Sequence, residues 1–267
     1  TTKQNVEYLL SIGMDFVGPS KGEQACGDNG YGRMSEPEEI YETIMLTQNK
    51  SLIGKKIIVT AGPTREQIDP VRFISNNSSG KMGFAMAEAA AMSGAEVILI
   101  TGPVSLSCSP QIQRLDVQTA DEMYREAKSS MSDADIFIGC AAVADFKPVH
   151  ANIQKIRKTD EDRLNIELQK NIDIISSLAR EFPDKRFMGF CAETERVEEH
   201  AKLKLIKKGL DFIVANDVSK SDIGFDSDYN EVSVFTDNSH QFFHKASKSL
   251  LAIQLVNLLS KDNQSLH

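Results

Sequence analysis

The sequence lacks a long hydrophobic run and an N-terminal signal-peptide pattern. No apolar segment approaches the roughly 18 residues that a membrane-spanning helix needs. The four cysteines are widely spaced and form neither a Cys-x-x-Cys pair nor a His/Cys cluster with zinc-binding spacing. We therefore expect reduced thiols, a cytoplasmic location, no membrane partner and no metal site built from protein side chains.

An excess of basic residues is also missing. The 267 residues carry a net charge of −8, with a pI of about 5.2. Such a chain is a poor candidate for nonspecific nucleic-acid binding, so no nucleic-acid partner is expected. The chain is long enough for one large or two small domains. Its first residues, Thr-Thr-Lys-Gln-Asn, contain no initiator Met, which suggests a fragment or a processed piece.

The two commonest nucleotide-binding patterns are absent as well. Gly-x-Gly-x-x-Gly does not follow the first predicted strand, and the second strand ends in Thr101-Gly102-Pro103, without a carboxylate for a ribose hydroxyl. Gly80-Lys81 lacks the upstream Gly and the following Ser or Thr of the ATPase phosphate loop. These absences argue against a dinucleotide-binding oxidoreductase and against a phosphate-loop ATPase.

Strand and helix patterns alternate from residue 51 onward. We predict strands at 56–61, 96–101, 112–117, 135–143, 187–191 and 211–215, helices at 81–93, 120–130, 195–208 and 247–259, and a hairpin from 231–236 and 241–243. This alternation predicts an α/β fold: a Rossmann-like, mostly parallel sheet with helices on both faces, plus a β-hairpin near the C-terminus.

Residues 1–50 differ from the rest. They contain the end of a helix at 5–12, a predicted short strand at 15–19, a glycine-rich stretch at 22–33 and a predicted helix from 35 to about 48. These pieces can form only a small hydrophobic core, so we expect them to pack against another protein or against the next domain. The predicted domains are therefore 1–50 and 51–262.

The most informative stretch is Arg72 to Gly83, which connects a predicted strand to a predicted helix. The unpaired N–H groups and the dipole at the start of a helix favour an anion. Gly80 and Gly83 allow a phosphate to approach the backbone, and Arg72, Asn76 and Lys81 add side-chain donors. The alternative is an ordinary strand-to-helix loop with a Ser cap. The predicted strand ends at 60–64, 139–145 and 215–217 should converge with this stretch on one cleft.

Six ordered motifs resemble those of the bacterial phosphopantothenate–cysteine ligase family. They lie at 60–66, 69–83, 139–146, 155–158, 189–194 and 215–218, and the resemblance covers roughly residues 52–260. Residues 1–50, with Ala25-Cys26-Gly27-Asp28 and Gly32-Arg33-Met34, resemble the tail of the flavin-dependent phosphopantothenoylcysteine decarboxylase, which is fused upstream of the ligase in a bifunctional protein of coenzyme A biosynthesis.

The resemblance implies a two-step reaction. The carboxylate of 4′-phosphopantothenate attacks the α-phosphorus of CTP to give an acyl-cytidylate and pyrophosphate, and the amine of L-cysteine then displaces CMP. It also implies Mg²⁺ held mostly by the triphosphate, a homodimer, and FMN only for the decarboxylase that would lie upstream. The choice of CTP over ATP comes from the resemblance alone.

The resemblance assigns three residues to catalysis. Asn76 corresponds to an asparagine that contacts the acyl intermediate, and Arg72 to an arginine that completes the phosphopantothenate site. Lys155 corresponds to the lysine of a mobile flap that reaches the α-phosphate, although Arg157 stands where the family often has Lys. A helix cap, a surface ion pair and a solvated basic loop are the respective alternatives.

Further positions correspond to nucleotide- and intermediate-binding residues: Gly62, Ser78, Gly80, Gly83, Ala141, Ala142, Asp145, Phe190, Lys204, Lys208 and Asn216. Three alternatives stay open here. Asp145 either meets the bound ligand or caps the next element. Lys204 and Lys208 either bind the triphosphate or complement the dipole of a helix that begins with glutamates, and Phe190 is either a base contact or a core residue. Cys26 matches the decarboxylase's catalytic cysteine, but we expect only a free thiol on a mobile loop.

An enzyme is therefore the leading hypothesis. The second hypothesis is a catalytically inactive, nucleotide-binding regulatory subunit. The presence of Asn76, Lys155 and Asp145 together favours the enzyme.

Overall fold

The computed structural model describes residues 2–14, 16–23, 29–35, 37, 40, 44, 50–157, 164–193, 195–217 and 227–260. Its helices are α1 (Thr2–Ser11), α2 (Lys81–Met92), α3 (Ala120–Ser130), α4 (Ile174–Glu181), α5 (Val197–Lys208) and α6 (Lys248–Ser260). Its strands are β1 (Ser20–Glu23), β2 (Asn29–Arg33), β3 (Lys56–Ala61), β4 (Arg65–Gln67), β5 (Phe73–Ser75), β6 (Glu96–Thr101), β7 (Gln113–Asp116), β8 (Ile136–Gly139), β9 (Phe146–Pro148), β10 (Leu168–Lys170), β11 (Arg186–Glu193), β12 (Phe212–Asp217), β13 (Tyr229–Phe235) and β14 (His240–Ser247).

An eight-stranded sheet organises the chain, in the order β14-β13-β12-β11-β8-β3-β6-β7. The six strands from β12 to β7 are parallel, and β13 and β14 extend the sheet as an antiparallel hairpin. The strand order reverses between β3 and β8, where doubly wound sheets open a crevice at their carboxyl ends. The predicted fold class is confirmed, including the hairpin near the C-terminus.

Apolar side chains cover both faces of this sheet. Ile57 and Val59 of β3 pack with α2 and α6 on one face, whereas Ile58 packs with α3, α4 and α5 on the other. All three are fully buried. A strand that is buried on both faces reads as a continuous apolar run, which is why β3 and β6 were predicted with their observed limits.

The structure corrects several boundaries. The strand predicted at 15–19 is wrong, because residues 16–19 are irregular and the strand begins at Ser20. The strand predicted at 135–143 ends at Gly139, after which Ala142 makes only an isolated bridge with Pro63. Helix α4, the short hairpin β4–β5 and the antiparallel strand pair β9–β10 were not predicted. The helix predicted from 35 to 48 falls mostly outside the described residues.

The helices in the described part of the chain are also informative about membranes. None of them is both long and apolar enough to cross a bilayer.

Candidate functional site

A cleft of about 540 Å³ opens at the carboxyl ends of β8, β11 and β12, next to the first turn of α2. Eleven of the predicted site residues line it: Asn76, Ser78, Gly80, Gly83, Ala141, Ala142, Asp145, Phe190, Lys204, Lys208 and Asn216. Two of the three predicted strand ends, 139–145 and 215–217, thus border one cleft with residues 76–83, as the parallel topology requires, whereas the predicted strand end at 60–64 lies outside the described lining. The roles of the individual residues stay predictions.

The wall formed by α2 has the geometry of an anion site. Gly80 precedes the helix with a left-handed φ of 78°, and its N–H donates to Ser78 Oγ over 3.3 Å. A Cβ on Gly83 would lie 2.6 Å from the Ala61 Cβ, so this glycine is needed for the close packing of α2 on β3. The first-turn N–H groups of α2 therefore border the cleft with the positive end of the helix dipole.

Lys81 was predicted as a side-chain donor to the anion, but it contacts the hairpin. Its Nζ lies 2.7 Å from Asp228 Oδ1, just before β13. The side chain thus ties the start of α2 to the start of β13, although Lys81 is also among the residues that line the cleft.

The loop after β8 carries Asp145 and is held in place from both sides. Asn76 Nδ2 donates to the Val143 carbonyl over 2.9 Å. Asn171 donates its backbone N–H to the Asp145 carbonyl and its side-chain N–H to the Ala144 carbonyl, each over 2.8 Å. Because a carboxamide has two N–H groups, Asn76 keeps one donor beyond its bond to Val143.

Lys204 and Lys208 line the opposite wall, each next to a carboxylate. Lys204 Nζ donates to Glu193 Oε1 over 2.6 Å, and Lys208 Nζ lies 2.9 Å from Asp173 Oδ2. Burial lowers the pKa of the Lys204 ammonium, but the hydrogen bond to Glu193 and the negative charges around it together outweigh burial, so the net pKa is raised. Lys204 therefore stays charged at neutral pH. Both of the earlier readings remain open, because these lysines end α5 and also border the cleft.

The position of Phe190 is likewise consistent with both interpretations, a base contact and a core residue. It packs partly against the core on the α2 and α6 face and borders the cleft.

Gly62 supports the cleft without belonging to its described lining. Its carbonyl accepts the Ala142 N–H over 2.9 Å. Its φ of 69° suits glycine, and an added Cβ would lie 3.1 Å from the Gly102 carbonyl oxygen. Gly62 thus fixes Ala142 through the turn that follows β3.

Arg72 and Lys155 lie in neighbouring loops rather than in the described lining of the cleft. The guanidinium of Arg72 bonds Asp69 Oδ2, with Nε at 3.0 Å, and donates from Nη2 to the Ile156 carbonyl at 3.0 Å. The Ile156 N–H in turn donates to Asp69 Oδ2 over 3.1 Å. The two loops that carry the predicted catalytic residues Arg72 and Lys155 are therefore joined through Asp69.

Asp69 is 1% exposed, and its carboxylate also accepts the N–H groups of Val71 and Arg72. The Arg72 guanidinium, aided by these backbone donors, holds the pKa of the Asp69 carboxyl well below its usual range despite burial. Because the pKa of this carboxyl is lower in the folded than in the unfolded state, the ionised carboxylate stabilises the fold at pH values above the ordinary carboxyl pKa of about 4. This stabilisation is lost as the pH falls.

Asp69→Asn is expected to lower the free energy of unfolding at pH 7 and to flatten its decline below about pH 4, because the variant has no carboxylate to protonate. Urea unfolding between pH 7 and pH 3 measures both effects, with the exposed turn residue Asp237 changed to Asn as the control. Identical pH profiles for the two variants would contradict this account of Asp69.

Several residues that border or support the cleft were not predicted from the sequence. Asn230 and the buried Lys248 line it, Glu193 and Asp173 contact its lysines, and Asp69 joins the two loops. Asp69 and Glu193 lay within recognised motifs, which was a usable signal. Cys26 lies outside the described residues. In the described part of the chain no group of three or more His, Cys, Asp or Glu side chains could hold a metal ion.

Comparisons with known proteins match this architecture. The family model of the DNA/pantothenate metabolism flavoprotein C-terminal domain matches residues 52–262. The chain is 48% identical over 259 residues to the coenzyme A biosynthesis bifunctional protein CoaBC of Haemophilus influenzae, which covers 96% of this chain and 64% of that protein. The chain thus spans less than two thirds of the length of this relative.

Two solved structures are also similar. The crystal structure of the C-terminal domain of a CoaBC protein superposes with a TM-score of 0.68 at 35% identity, over 79% of this chain and 96% of that chain. A Cab2 mutant in complex with phosphopantothenate-cysteine gives a TM-score of 0.65 at 17% identity, over 85% of this chain and 94% of that chain. The second likeness shows a shared fold alone.

Proposed function

Because this chain belongs to the family of the DNA/pantothenate metabolism flavoprotein C-terminal domain, we propose that it is a phosphopantothenate–cysteine ligase. It joins 4′-phosphopantothenate to L-cysteine in coenzyme A biosynthesis and uses CTP to activate the acid. The ligase domain is proposed to comprise residues 51–262, and residues 1–50 to form the end of a decarboxylase domain and a linker. FMN belongs only to that upstream decarboxylase.

The observation that carries the proposal is the common cleft. Asn76 and the Ser78–Gly83 turn border one cavity with Asp145, which lies far along the chain, at the carboxyl edge of a parallel sheet. Its cations, its helix N-terminus and its backbone donors suit a nucleotide's phosphates next to a second anionic substrate. The relatives named as coenzyme A biosynthesis proteins support the same reaction.

The first step brings a carboxylate to a polyanion, so the site must neutralise charge and hold the two groups in line. The first turn of α2 and the ammonium groups of Lys204 and Lys208 supply positive charge around the cleft. Lys155 adds its charge at the α-phosphate when its loop reaches the nucleotide. The products of this step are the acyl-cytidylate and pyrophosphate.

The second step forms a tetrahedral oxyanion when the amine of cysteine attacks the acyl carbon. Asn76 is the proposed donor, because its bond to the Val143 carbonyl fixes the carboxamide and leaves one N–H for the oxyanion. Collapse of the intermediate expels CMP. Mg²⁺ is proposed to arrive with the triphosphate and to keep several water ligands.

Pyrophosphate release from CTP tests this function. We expect release only when 4′-phosphopantothenate is present, and CMP only after L-cysteine is added. No pyrophosphate from folded protein would discard the ligase, and CTP binding without turnover would favour the inactive regulatory subunit. Competition of ATP against CTP checks the choice of nucleotide.

A homodimer is part of the proposal. The β4–β5 hairpin contacts strand β9, and the segments that follow β4 and β9 expose apolar side chains, including Val71 at 59% and Ile153 at 94% exposure. Exposed apolar patches of this kind mark association surfaces. Sedimentation equilibrium should give a dimer for the wild type and a weaker dimer for Val71→Asp. A monomeric wild type at micromolar concentration would overturn this part of the proposal.

A further inference from the structure

The cleft straddles the edge of the sheet, and cations border it on both sides. Lys204 and Lys208 lie on the α5 side, next to Glu193 and Asp173. On the side of α2 and α6 the lining includes Lys248, which no motif of the sequence analysis singled out.

Lys248 is the first residue of α6 and is only 6% exposed, yet it lines the cleft. Its position is fixed by the backbone, because its N–H donates to the Asp228 carbonyl over 2.9 Å. Ser247 Oγ accepts the Leu250 N–H over 3.2 Å and caps the helix. The side chain therefore starts from a rigid junction between β14 and α6.

A charged side chain is an expensive choice at this position if fold stability alone is considered. Removing an ammonium from water is unfavourable, and the N-terminus of a helix repels a cation. Lys248 has interactions within the protein, so the inference does not depend on an unsatisfied ammonium. It depends on a buried positive charge at the cleft wall.

The surroundings agree with a positive charge that acts inside the cleft. Burial raises the pKa of the Cys140 thiol to about 12, and the charge of Lys248 opposes this rise. Cys140 also lines the cleft, so the ammonium acts on groups there. An anionic ligand would turn the cost of the buried cation into a favourable interaction.

We propose that Lys248 is a phosphate-binding residue that contacts the triphosphate of the nucleotide from the α2 and α6 side, opposite Lys204 and Lys208. A triphosphate carries enough negative charge to interact with both sides, and the N–H groups of the Ser78–Gly83 turn border the same wall as Lys248. The inference rests on the proposed function in taking the anion to be a nucleoside triphosphate.

Lys248→Met, which keeps an unbranched apolar stem and removes the ammonium, is expected to weaken binding of CTP and of inorganic triphosphate by about 10- to 100-fold. The melting temperature without ligand should stay close to that of the wild type, because the proposed role of the charge is in the complex with the nucleotide. Lys245→Met removes the same charge from an exposed position three residues earlier and should bind as the wild type does. Titration calorimetry and thermal unfolding, with and without each ligand, measure these effects on the full chain.

Two further variants test the charge. Lys248→Arg should restore part of the affinity, whereas the neutral Lys248→Gln should not. Unchanged affinity in Lys248→Met would overturn the inference and leave the ligase proposal intact. A lower melting temperature without ligand in all three variants, or their failure to fold, would show a structural role and also overturn it. If the wild type binds neither CTP nor triphosphate, the proposed function fails first and the inference with it.

Discussion

Asn76→Ala is expected to form the acyl-cytidylate at nearly the wild-type rate but to pass it to cysteine about 10²- to 10³-fold more slowly. The carboxamide is held by its bond to the Val143 carbonyl and keeps one N–H for the oxyanion that develops in the second step. A donor that acts on charge appearing only in the transition state affects that step alone. The loss corresponds to roughly 3–4 kcal/mol.

Single-turnover experiments separate the two steps of this variant. Pyrophosphate release reports the first step, and CMP release after addition of cysteine reports the second. Asn238→Ala, an exposed change in the hairpin turn, serves as the control. If Asn76→Ala instead slows pyrophosphate release as much as CMP release, the residue binds the first-step reactants and the proposed donor role is wrong.

The sequence predicted the part of the site that depends on strand ends and on one helix start. Continuous apolar runs indicated β3 and β6, and the glycines and serines of residues 78–83 indicated the N-terminus of α2. Parallel strands place their carboxyl ends at one edge, so the convergence of Asn76 and Asp145 followed from the topology. Local patterns suffice for such features because each residue's position depends mainly on its own element.

The missed features depend on pairs of distant residues. Asp69 joins the loop that holds Arg72 to Ile156, which lies far along the chain, and no periodicity reports such a contact. Helix α4 has only eight residues, and the strands of the β4–β5 hairpin have three each, too short for a pattern to be recognised. Lys248 begins a helix whose start was predicted at Ser247, but its burial against the cleft is set by tertiary packing.

Lys155→Ala is expected to slow formation of the acyl-cytidylate by about 10²- to 10³-fold, the opposite pattern to Asn76→Ala. Lys155 is exposed, while its neighbour Ile156 is bonded to Asp69 and Arg72 through its backbone. The ammonium therefore extends from an anchored backbone, and its proposed contact is the α-phosphate of a nucleotide in the cleft. Its charge matters when negative charge builds up at that phosphate in the first step.

Pre-steady-state pyrophosphate release measures this effect, with Lys55→Ala as a control at the opposite, amino-terminal end of β3. Lys155→Arg should recover part of the rate, because it keeps the charge but changes the donor geometry. Acyl-cytidylate supplied from outside should react with cysteine at a near-normal rate in Lys155→Ala, since Asn76 is intact. If both variants fail at the same step, the two residues share one function, and the division between an activating lysine and an oxyanion-binding asparagine must be abandoned.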